Sequence, residues 1–134
     1  MRKMVSAALF FALVFWIASA VAQTPASNPG DIKLNPLAAT SGHGVSNATL
    51  LDQPEVRVSR VDVEPGGVRN VHSHDDVRFH LWIPVSGNFE VDIEPDKPAQ
   101  VSAWHPRSLK GGTRHGFKNI GSSTGTVVEV FIKK

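Results

Sequence analysis

At 134 residues the chain has the length of one domain, and its 14 lysines and arginines nearly balance 12 aspartates and glutamates. Two of the basic residues, Arg2 and Lys3, belong to a leader segment, so residues 23–134 carry no net formal charge and no nucleic-acid partner is expected. The absence of cysteine excludes disulfides, thiolate chemistry and a lipid-modified cysteine, leaving the domain to stand on its apolar core.

In chain order, the first element is the leader. Arg2 and Lys3 precede an apolar run from Val5 to Ile17, and Ala20-Val21-Ala22 supplies the small-x-small pattern cut by signal peptidase. Residues 1–22 therefore read as a signal peptide, with export to the periplasm or secretion and no stable membrane insertion after cleavage. The competing reading is an uncleaved anchor, against which the polar Gln23-Thr24-Pro25 argues. Residues 23–50 read as a flexible arm and loop. Gln23 to Asp31 is rich in Pro, Ser, Asn and Gly, and the scattered Leu and Val of Ile32 to Leu51 leave room for one short strand.

Residues 51–134 read as the folded domain, strand after strand. Val56–Val58 and Val61–Val63 alternate, and Pro65-Gly66-Gly67 signals a turn. Val77 to Val85 is rich in bulky β-formers, Asn88 to Ile93 alternates, and Glu94 to Pro98 is the next turn. Ala99 to Trp104 and Thr126 to Ile132 complete the series. No apolar series at helical spacing is long enough for a helix, so the class is all-β, a sandwich or barrel. Phe79, Trp82, Phe89, Trp104, Phe117 and Phe131 are the candidate aromatic core.

Four of the six histidines form a candidate constellation. On an extended segment, His72 and His74 would present both imidazoles to one face, with His80 on the next strand and His115 after a Gly-Gly turn. Neutral imidazole is the commonest ligand of divalent transition metals. The alternative is a pair of surface histidines beside Asp75 and Asp76. His43 and His105 read as surface residues.

The flanks of these histidines resemble the cupin superfamily. Gly66, five residues, then His72-Ser73-His74 matches the opening of the first cupin motif, and Gly112-Thr113-Arg114-His115 followed by Asn119 matches the second, with Lys110 where the family has proline. The resemblance runs from about Val56 to Ile132. It implies a jelly-roll β-barrel of two antiparallel sheets and a metal held by three His and one Glu. The usual glutamate is missing. Six residues separate His80 from Gly87, as they would the motif's glutamate, whereas three residues separate His74 from Arg78. A guanidinium has no lone pair to give, so His72, His74, His80 and His115 are the expected ligands of Zn, Mn, Fe, Ni or Cu.

Arg78 and Trp82, on the parity of His80, are the expected ligand-binding residues of the cavity. Arg78, Arg107, Lys110, Arg114 and Lys118 would either draw an anionic substrate to the mouth or form a solvated face. The expected function is an exported, homodimeric small cupin that binds or acts on a small molecule beside the metal, with dioxygenase-like chemistry one candidate. No residue stands out as a general acid or base, so catalysis is left open. The alternative is a metal-free ligand-binding or scaffold barrel.

Overall fold

The computed structural model describes residues 32–134, and the expected signal peptide and the start of the arm lie outside the described residues. Nine strands follow: β1 (Asn35–Pro36), β2 (Gly42–Asp52), β3 (Val56–His72), β4 (Val77–Ser86), β5 (Asn88–Ile93), β6 (Ala99–Ser102), β7 (Arg107–Lys110), β8 (His115–Asn119) and β9 (Gly125–Lys133). Every pairing among them is antiparallel. Among the described residues no helix is long and apolar enough to cross a membrane.

β3 organises the molecule. One edge pairs with β2, while the other pairs first with β9, from Val56 to Val63, and then with β8, from Val68 to His72. Two leaves, β9-β4-β7 and β8-β5-β6, thus extend from one edge of a single strand, in the order β6-β5-β8-β3-β9-β4-β7. The result is one antiparallel sheet curled into a half-barrel, where two sheets had been expected. The cause is local. Pro65-Gly66-Gly67 does not end the strand; it forms a wide bulge, since Val45 opposes Val63 whereas His43 opposes Val68. A bulge bends a strand without breaking its pairing, so β3 passes from one leaf to the other.

The stretch up to residue 50, expected as loop with room for one short strand, carries most of the longer strand β2, Gly42–Asp52. Its apolar alternation is weak, and its start is a close backbone crossing: a Cβ on Gly42 would lie 2.2 Å from the Val68 carbonyl oxygen. Only glycine fits there, so a residue that reads as a loop signal serves a strand contact.

The core lies between the leaves. Val63, Phe89 and Val127 are wholly buried, with Val61, Val91 and Val101 around them. The Trp82 ring meets Phe89 edge-on at 5.4 Å and Phe117 at 5.4 Å. Burying each such side chain is worth about 1.5–3 kcal/mol. At the far end Asn119 clasps three segments, donating through Nδ2 to the Val63 and Ser123 carbonyls at 2.9 and 2.8 Å and accepting the Gly121 N–H at 2.9 Å.

Two expected core aromatics lie outside. A register shift between Val77 and Phe79 breaks the alternation of β4, burying Val77 and His80 while exposing Phe79. Trp104 sits at a turn with φ of 65° and is 70% exposed.

Candidate metal centre

The inward residues of β3, β9, β4 and β7 form lateral rows across the sheet. One row runs Arg57, Phe131, His80, Leu109; the next runs Ser59, Glu129, Trp82, Arg107. His72 on β3 pairs directly with His115 on β8. His74 lies just past the end of β3, and its ring lies 4.8 Å from His72 and 5.0 Å from His80. The His72 and His115 rings are 4.5 Å apart, and those of His80 and His115 are 4.8 Å apart. Four imidazoles from three strands and a loop therefore converge at one end of the half-barrel.

Their donor atoms are close enough to share an ion. Those of His72, His74 and His115 lie within 4.8 Å of one another, as do those of His80, His115 and Glu129. The outer nitrogens are accounted for: His72 Nδ1 stands 2.8 Å from the Asn70 carbonyl and His115 Nδ1 3.0 Å from that of Thr113. A carbonyl can only accept, so each Nδ1 carries the proton and each Nε2 offers its lone pair inward. This is the arrangement by which backbone groups orient metal-binding histidines. His115 Nε2 and both ring nitrogens of His80 are buried without a hydrogen-bond partner. Such orphaned nitrogens suit a divalent transition metal, whose preferred protein donors are imidazole nitrogen and carboxylate oxygen.

The electrostatics favour neutral donors. Burial, followed by the charges of His80 and His72, pushes His74 down to about 4. His115 is likewise lowered to about 4, chiefly by burial, against the opposing Thr113 carbonyl. His72 is also lowered, mainly by burial. At neutral pH these three imidazoles are uncharged and able to coordinate. Glu129 is 8% exposed, and its Oε1 lies 3.5 Å from His80 Nε2. That separation is an ion-pair approach without hydrogen-bond geometry. Burial would raise its pKa, but His80 and the neighbouring imidazoles outweigh burial and hold it below the usual carboxylate range.

All four histidines singled out from the sequence are brought together here. Arg78 is turned outward by the β4 bulge, donating from Nε to the Lys133 carbonyl at 3.0 Å, so it does not share the inward parity of His80. Trp82 does face inward, deep in the core and 1% exposed. Lys110, Arg114 and Lys118 are exposed, and Arg114 pairs with Glu94. His43 and His105 are exposed as expected. Glu129 was missed. The signal was an acidic residue in the inward series Val127, Glu129, Phe131, where every other side chain is apolar.

No family model matches the chain, and no curated protein matches it. Solved structures do. A protein from Thermotoga maritima described as a predicted oxalate decarboxylase superposes with a TM-score of 0.72 at 20% identity, covering 80% of this chain and 97% of that one. KdgF from a Halomonas species gives 0.69 at 18%, covering 80% and 93%. An RmlC-like cupin from Shewanella frigidimarina gives 0.68 at 15%, covering 84% and 93%. The chain has the cupin fold, and within it a histidine and glutamate cluster able to hold a metal ion.

Proposed function

We propose that the protein is an exported, homodimeric cupin that holds one divalent transition metal (Zn, Mn, Fe, Ni or Cu) through His72, His74, His80 and His115. It binds or converts a small molecule beside that metal. The observation that carries this reading is the orphaned nitrogens: His115 Nε2 and both nitrogens of His80 are buried among converging imidazoles without partners. Leaving a buried polar atom unsatisfied costs about 1–3 kcal/mol, a cost that coordination removes. Glu129, 3.5 Å from His80 Nε2, sets a negative charge beside that ring. When bound, the metal would supply Lewis acidity or a coordination position for substrate or dioxygen. A dioxygenase-like reaction is one candidate, on kinship of fold.

Elemental analysis of protein purified from its own compartment tests the metal. About one ion per chain is expected, with His72→Ala and His115→Ala each removing most of it. His80→Ala should weaken metal affinity, whereas Arg78→Ala, on the outer face, should leave it intact. Equal affinity in wild type and His80→Ala would reduce the site to three histidines. If no metal were present, and none bound when all five were offered, the metal-free ligand-binding barrel would replace this reading.

A further inference from the structure

Beside the histidine cluster lies a cavity of about 220 Å³, walled by β2, β3 and β9 and reached by Leu37. We propose that it binds a small organic acid, a hydroxy- or oxo-carboxylate, whose carboxylate is held by Arg57 and Arg69. This rests on the metal reading only in placing the acid next to the ion.

Neither arginine was among the basic residues that stood out in the sequence, yet both line this cavity. Arg57 lies on the inward row of β3, with its guanidinium 4.4 Å from the centre of the Phe131 ring. Its carboxylate neighbours do not neutralise it: Asp76 is 4.0 Å away and 62% exposed, and Asp52, opposite it on β2, is paired with Lys133. Arg69 pairs with Phe117 and faces the same interior, held by a 2.8 Å hydrogen bond from Nη1 to the Ser41 carbonyl. That bond fixes the guanidinium, and among the described residues no ion pair takes up its charge, which Glu129 offsets only from a distance. The cavity wall thus carries two arginines against one carboxylate, Glu129. A divalent metal would add to the excess, so the complementary ligand is an anion.

The other lining groups narrow the class. Asn47, Thr49 and Ser59 present amide and hydroxyl groups on one wall, suited to a hydroxyl or keto oxygen beside the acid group. The volume falls below the roughly 300–1,000 Å³ of drug-sized sites, which points to a molecule of a few carbons. Planar guanidinium forks match a carboxylate with two parallel hydrogen bonds, and such charge-assisted pairs are the strong ones.

Calorimetric titration of the full-length protein with malate, as purified and again after chelation, tests this. Binding is expected in both states, tighter with metal. It should weaken about tenfold or more in Arg57→Gln and in Arg69→Lys, which keeps the charge but loses the fork. Arg78→Gln, outside the cavity, should bind as wild type does. Circular dichroism checks that each variant is folded, and if Arg69→Lys is not, Arg57→Gln decides alone. Malate binding that is absent in both states, or unchanged in Arg57→Gln, would overturn the proposal. So would equal binding of the neutral diamide, or full displacement by equimolar inorganic phosphate. If malate bound through the arginines while no metal bound at all, only the metal reading would fail.

Discussion

Three strands of this half-barrel each carry a core residue and a site residue two positions apart. On β4 the step is from Trp82 to His80, on β8 from Phe117 to His115, and on β9 from Val127 to Glu129. Both members of each pair face inward and both are buried. Yet one end is filled by interlocking apolar rings, and the other by titratable groups, several of them without partners. Period-two alternation sets which face a residue occupies but not its height along the barrel. Height is what separates stabilising residues from those that carry chemistry. The apolar end, closed by the Asn119 clasp, supplies the stability that lets the other end keep unsatisfied donors.

Substitutions with opposite expected signatures at the two ends can break that comparison. The largest effect should come from Trp82→Ala, which empties the space between Phe89 and Phe117. It should cost about 3–5 kcal/mol in denaturant unfolding, a large fraction of a typical domain's stability. A cost under about 1 kcal/mol would show that the core is not centred there. Next comes Asn119→Ala, which removes three hydrogen bonds and strands the Val63 carbonyl in the interior. About 2–3 kcal/mol should be lost, with metal affinity unchanged in whatever remains folded. Metal loss at full stability would mean that the clasp belongs to the site instead.

The sequence revealed these two ends unequally. The all-β class was legible from short alternating runs and their turns. His72, His74 and His115 were legible because the spacing of glycine around them is local, and His80 because the Gly87 turn sets its register. Residues whose role depends on distant partners were not. Glu129 meets His80 only because β9 lies between β3 and β4, and Arg57 meets the cavity through the same pairing. Arg78 and Phe79 were misplaced by a bulge that no turn residue announces. β2 was hidden because its glycines serve a close crossing of backbones, a contact with residues far along the chain. Pro65-Gly66-Gly67 was noticed, but a bend within a paired strand and a turn between strands use the same residues.

The subtlest test is Glu129→Gln, which keeps the shape of the side chain and removes only its charge. Were Glu129 part of the stabilising core, this change would cost as much as breaking a buried ion pair, about 3–5 kcal/mol. The structure argues otherwise. His80 Nε2 is 3.5 Å from Glu129 Oε1, without hydrogen-bond geometry, so there is little direct bonding to lose. Burial alone would favour a neutral amide, while the surrounding imidazoles favour the carboxylate, so the two effects of the change oppose each other. Stability of the metal-free protein should therefore move by less than about 1 kcal/mol, in either direction. Metal affinity should instead fall about 10–100-fold, the usual effect of removing a carboxylate beside a metal ligand. Denaturant unfolding after chelation gives the first quantity and competition with a chromogenic chelator the second. Unchanged affinity with a large loss of stability would reverse the assignment and place Glu129 with Trp82 and Val127 rather than with His80.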